Sequence, residues 1–81
     1  MTKEKPNPAY VRLRQVLVES RTRAGVSQTD LAARLGKPQS YISKVESGDR
    51  VIDVVEFVEY VRAIGADPVR VLRQVVQKGK A

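Results

Sequence analysis

The segment from Gln28 to Gly48 reads QTDLAARLGKPQSYISKVESG, and the rest of the chain is best understood outward from it. Leu31, Ala32 and Leu35 make a short apolar stripe at helical spacing, and Ile42 with Val45 makes a second. Between them stands Gly36, which can take the positive φ that a sharp turn requires. Ser27 is placed to cap the first of these helices, with Asp30 three residues on as in a capping box. The second helix is expected from about Pro38 to Ser47. Proline suits its first turn but supplies no side-chain cap, and Gly48 closes it. Ala32 has to be small, because two helices joined so tightly cross closely and a larger side chain would overpack the crossing.

The flanks carry three more helical patterns. Asn7 followed by Pro8 is a cap followed by a residue that needs no amide donor. Ala9, Leu13, Val16, Leu17, Ser20 and Ala24 then share one face, with Arg12, Arg14, Arg21 and Arg23 on the remaining surface, and Gly25 ends the helix. Beyond a loop at 49–51, Asp53 with Glu56 forms a second capping box preceded by Ile52 as a staple. Val54, Phe57, Val58, Val61 and Ile64 follow. So many β-branched residues could make a strand, but strict alternation is absent and the caps are present, so a helix is expected up to Gly65. Asp67-Pro68 opens a fifth helix with the stripe Val69, Leu72, Val75 and Val76. Residues 1–7 form an expected flexible arm carrying Lys3 and Lys5, and the end from Lys78 is expected to fray. The expected fold is all-α: a compact five-helix domain over residues 8–78, with no internal repeat and no separate oligomerisation or ligand-sensing domain.

Composition narrows the function. The 81 residues contain no cysteine and no histidine, which removes disulfides and the usual zinc ligands, together with the commonest nucleophile and general base. An enzyme is disfavoured, and no metal or cofactor is expected. No apolar run approaches the ~20 residues that cross a bilayer and no signal-peptide core follows Met1, so a cytoplasmic location is expected. Fifteen Lys and Arg against nine Asp and Glu give a net charge of +6, which suits a polyanionic partner, although it also serves solubility. The charge is uneven: residues 1–25 carry +4, 26–50 carry +1, 51–67 carry −3 and 68–81 carry +4. The acidic third segment is expected to face away from a polyanion.

With Arg21, Ser27-Gln28, Leu31-Ala32, Gly36, Tyr41-Ile42-Ser43, Glu46 and Gly48 in these positions, the chain resembles the Cro and phage-repressor type of helix-turn-helix proteins over about Leu13 to Leu72. It departs from them in having Pro38 where a Ser or Thr cap is common, and in its many valines between 51 and 61. The resemblance implies a lambda-repressor-like DNA-binding domain that lays its third helix in the major groove. It implies that Gln28 anchors a phosphate and that Gln39 reads a base, typically adenine. It also implies that Arg21 and Glu46 form a partly buried structural salt bridge between the first and third helices.

Helical geometry places Ser40 and Lys44 on the same outward face as Gln39, suited to base edges, with Lys44 equally able to settle on a phosphate. Ser43 lies at the edge of that face, and Lys37 and Arg50 flank it, all three as phosphate contacts. Tyr41 either bonds a phosphate or packs. The fifth-helix residues Val69, Val71, Leu72, Val75 and Val76 offer more apolar surface than a lone helix face needs, which suits a homodimer interface made by that helix, through Val69, Leu72, Val75 and Val76, with the end of the fourth; the alternative is that they complete the monomer core. The expected function is a sequence-specific regulator of transcription that binds double-stranded DNA, as a dimeric repressor on a pseudo-palindromic operator. Two alternatives keep the fold: the antitoxin of a toxin–antitoxin pair, binding a toxin protein as well as its own promoter, or the controller of a restriction–modification system. A third, a protein-interaction module that no longer touches DNA, fits poorly with the polar face and the basic first helix.

Overall fold

A computed structural model describes residues 7–78, in which the chain forms α1 (Pro8–Arg23), α2 (Gln28–Leu35), α3 (Gln39–Ser47), α4 (Val54–Ala63) and α5 (Pro68–Lys78). Among the described residues there is no strand, and no helix is long and apolar enough to cross a membrane. Apart from Asn7, the expected arm with Lys3 and Lys5 lies outside the described residues, as does the tail beyond Lys78.

Each boundary follows from local chemistry. Asn7 Oδ1 accepts from the Ala9 amide at 2.8 Å and Pro8 fills the first turn. Ser27 Oγ accepts from the Asp30 amide at 3.0 Å. Asp53 and Glu56 make a complete capping box, with the Asp53 carboxylate on the Glu56 amide at 2.7 Å and the Glu56 carboxylate on the Asp53 amide at 3.0 Å. Asp67 accepts from the Val69 amide at 2.9 Å. The α2–α3 turn passes through Gly36 at φ 66°, a left-handed conformation that L side chains rarely adopt. Pro38 stands at the α3 N-cap with no side-chain cap hydrogen bond, so α3 begins one residue later than the spacing suggests.

The helices enclose a core whose largest fully buried side chains include Leu17, Leu31, Ile42, Val45, Tyr60 and Val61. Ala32 is buried where α2 packs on α3. Three expectations are corrected. Ala9 and Ala24 of the first-helix stripe are exposed while Arg21 is buried, because Ala9 overhangs the first turn and Ala24 is already the C-cap. On α4 the inward residues are Phe57, Tyr60 and Val61, and Val54 is 76% exposed. On α5 the residue in the core is Val71, at 3% exposure, with Val75 half-buried beside it; Val69, Leu72 and Val76 are 59%, 50% and 61% exposed. That helix carries apolar residues on two faces, and its contacts with α1 and α4 select the Val71–Val75 face.

This assignment of faces is directly testable. Val71→Ala should cost about 2 kcal/mol in chemical denaturation through lost burial and a cavity, whereas Val69→Ala should stay within about 0.5 kcal/mol. A larger cost for Val69→Ala than for Val71→Ala would mean that α5 packs through the other face, and equal costs would overturn the assignment of a single inward face.

Candidate nucleic-acid interface

One carboxylate organises the site. Glu46, near the end of α3, is 6% exposed in its side chain and receives four hydrogen bonds from three other helices. Arg21 of α1 binds it with two nitrogens, Nε on Oε2 at 2.7 Å and Nη2 on Oε1 at 2.9 Å. The Tyr60 hydroxyl of α4 donates to Oε2 at 2.5 Å, and Gln28 Nε2 of α2 donates to Oε1 at 2.9 Å. The third Arg21 nitrogen donates to the Val26 carbonyl at 2.9 Å. Burial alone would raise the carboxyl pKa, but the hydrogen bonds from Arg21, Tyr60 and Gln28 outweigh it and hold Glu46 below its ordinary 4.5. Tyr60 moves upward, through burial first and then through its bond to the Glu46 charge, so its phenol stays protonated and donates.

The chain of contacts runs on to the surface. Gln28 Oε1 accepts from Gln39 Nε2 at 2.6 Å, joining the first turns of α2 and α3 across eleven residues of sequence. A carboxamide has two N–H donors and one carbonyl oxygen. Gln28 therefore keeps one N–H for a further partner such as a phosphate, and Gln39 keeps one N–H and its oxygen. Gln39, Ser40 and Lys44 are exposed. No hydrogen bond or ion pair engages the Ser40 and Lys44 side chains among the described residues. Ser43 is half-buried at the margin of the same face.

Tyr41 gathers the flanking cations. Lys37 Nζ lies 5.2 Å and the Arg50 guanidinium 5.0 Å from its ring centre, both within cation–π range. The ring is half-buried, and burial is the leading cause of its raised pKa. Arg50 is not idle: its Nη2 pairs with Glu56 Oε2 at 2.6 Å. The acidic segment 51–67 thus does not lie wholly on the far side of the domain. The loop after α3 is short, so the first turn of α4 returns beside Arg50.

Three contributors are absent from the sequence reading. Tyr60 falls on the same face as Phe57, and a tyrosine in an apolar stripe implies a partner for its hydroxyl; the sequence carries that signal. Glu56 stands out in the sequence only as a cap. Arg14 sits half-buried under the end of α3, where its Nη1 donates to the Glu46 carbonyl at 3.3 Å. A Cβ on Gly48, which has φ 92°, would stand 2.8 Å from the Arg14 Cζ, so only glycine fits there without displacing the guanidinium.

This arrangement of a short α2, a turn at glycine and a partly free α3 is matched over residues 17–71 by the helix-turn-helix family profile of Cro/C1 type. The chain belongs to that family. Its members bind double-stranded DNA, and the domain is a DNA-binding transcriptional regulator of this kind. Among solved structures, it is similar to an XRE-family like protein from Pseudomonas syringae pv. tomato str. DC3000. The two are 43% identical over 89% of this chain and 88% of that one, with a TM-score of 0.83. It is also similar to the clp gene regulator ClgR from C. glutamicum, at 22% identity over 94% and 97% of the two chains and a TM-score of 0.80, a likeness in fold. No curated protein matches the chain.

Removing the carboxylate should loosen the helix it braces. Glu46→Ala leaves Arg21 buried without its partner, a defect that costs about 3–5 kcal/mol at neutral pH, and it should weaken DNA binding in parallel. Because the folded pKa is lowered, the stabilisation by Glu46 is complete above the ordinary value of 4.5 and is lost as pH falls through the lower folded value. The stability gap between wild type and Glu46→Ala should therefore narrow in acid. Denaturation curves that run parallel from neutral pH down into strong acid would remove the charge from this role.

Proposed function

We propose that the domain is a sequence-specific repressor acting as a cytoplasmic homodimer on a pseudo-palindromic operator. Gln39, Ser40 and Lys44 of α3 read base edges, and Gln28, Lys37, Tyr41, Ser43 and Arg50 hold the phosphates on either side. The observation that carries this assignment is the Gln28–Gln39 hydrogen bond of 2.6 Å. It ties a prospective phosphate anchor to a prospective base reader while leaving donors and an acceptor on both amides. The exposed, unengaged Ser40 and Lys44 extend the same face. Arg50 contacts phosphate by exchanging Glu56 for it, a modest cost since surface ion pairs contribute little.

The dimer is proposed through α5, with the surface redrawn from the burial pattern. Val75 leans into the core, and the exposed stripe is Val69, Leu72 and Val76. Leu72 also borders an apolar cleft of about 170 Å³ formed with Leu13, Ile52, Val54 and Phe57. Exposed valines on α5 next to an apolar cleft are the kind of surface that a second copy covers. A two-fold pairing would set the two α3 helices about 34 Å apart for half-sites one helical turn apart.

Two measurements test this. Operator affinity should fall steeply with salt: two flanking cations per protomer give a log–log slope of about −3.6 for a dimer, and Lys37→Ala should reduce its magnitude by about 2. A flat salt response would exclude phosphate contact. Leu72→Glu should convert dimer to monomer in sedimentation equilibrium and lower operator affinity by about 100-fold, with the fold retained. A Leu72→Glu protein that remains dimeric would move the interface elsewhere.

A further inference from the structure

Tyr60 sits on α4, is buried, and takes no part in the contacts assigned above to DNA. We propose that its hydroxyl is a positioning group for base reading, acting through Glu46 and Gln28 on Gln39; this rests on the assignment of Gln39 as a base reader.

Hydrogen-bond polarity is passed along the chain. An ionised carboxylate only accepts, so the Gln28 amide has to turn Nε2 toward Glu46, where it lies 2.9 Å from Oε1. Its own Oε1 then faces Gln39 and can only accept, so Gln39 has to present Nε2 to it, at 2.6 Å. The order of donor and acceptor left on Gln39 for the groove is thereby set from the core, through Glu46 and Gln28. Adenine offers a donor and an acceptor side by side in the major groove, whereas guanine offers two acceptors and thymine one. An amide held in one order discriminates among them; an amide free to turn over presents both orders and loses part of that discrimination.

Tyr60 supplies the asymmetry at the head of the chain. Arg21 grips both carboxylate oxygens, Nε on Oε2 and Nη2 on Oε1, and leaves each with room for one more donor. The Tyr60 hydroxyl occupies Oε2, so Oε1 is the oxygen left open to Gln28. The phenol has one other acceptor within reach, the Leu17 carbonyl at 3.3 Å. That contact is longer and involves no charge, so the proton belongs to Glu46. Without the hydroxyl Oε2 keeps an open acceptor position as well; the Gln28 amide still donates Nε2 to the carboxylate, but it is divided between two oxygens and no longer holds the Gln39 amide at one place in front of the groove.

Selection of bound sequences from random DNA tests the proposal, using the full chain as wild type, Gln39→Ala, Gln28→Ala, Tyr60→Phe and Tyr60→Phe with Gln28→Ala. The base pair whose preference disappears in Gln39→Ala identifies what Gln39 reads. In Tyr60→Phe, preference at that base pair should fall about fivefold, as expected for one hydrogen bond, while other positions and non-specific affinity hold. Adding Tyr60→Phe to Gln28→Ala should cause no further loss, because the two act in series. Replacing Tyr60 by 4-aminophenylalanine, which restores a donor, should recover the preference. Tyr60→Phe that weakens every sequence equally, or leaves the Gln39-dependent base pair untouched, overturns the positioning role. A wild-type profile flat at all positions overturns instead the base-reading assignment beneath it. Should Tyr60→Phe be too unstable for selection, the Gln39 side-chain amide resonances of the DNA-free protein in the cold decide between the same outcomes. A Gln39 Nε2 proton that is shifted and protected from exchange with solvent in wild type and loses both the shift and the protection in the variant supports the proposal, and unchanged resonances overturn it.

Discussion

A single buried carboxylate holds this domain in register. Glu46 brings together Arg21 from α1, Gln28 from α2 and Tyr60 from α4, so every helix of the bundle except α5 meets at one charge. A buried ion is tolerated only when its partners satisfy it, and here both oxygens accept two donors each. The hydrophobic core supplies most of the cohesion, but it is non-directional. Ile42 and Val45 would accept small rotations of α3 about its own axis, whereas four hydrogen bonds of defined direction do not. The orientation of α3 is therefore an electrostatic result built on an apolar foundation.

The same constraint explains why a domain with so few aromatic residues places two of its tyrosines where it does. Tyr60 braces α3 from beneath, and Tyr41 works at its outer margin, drawing Lys37 from before the helix and Arg50 from after it to one ring. Cations that would otherwise spread under mutual repulsion are thus held together, with Glu56 offsetting part of the charge.

Much of this is legible in the sequence, for identifiable reasons. Asn7, Ser27 and Asp53 announce helix starts because their short polar side chains serve orphan amides. Gly36 announces the turn, and Ile42 with Val45 announces the inward face of α3 because no other aliphatic pair in that segment has helical spacing. The fifth helix defeats the same reasoning because valines and a leucine occupy two faces, and periodicity alone does not say which face is claimed by α1 and α4. The inward turn of Arg21 and Arg14 is hidden because arginines usually mark the surface; for Arg21 the family likeness carries the pairing that composition conceals. The link from Glu46 through Gln28 to Gln39 joins positions 18 and 11 residues apart, and only the fold brings them together.

The α2–α3 unit has a consequence for how the protein meets its target. Nine residues of helix are too few to persist alone in water, yet α3 is stitched to its neighbours at both ends, by Gln39 at its start and by Glu46 near its close. It cannot unravel locally without stranding a charge. Its shape is consequently settled before any encounter with DNA, and the ordering entropy that a floppy recognition segment would surrender on docking has already been lost during folding. What association then selects is the nucleic acid's geometry and not the protein's.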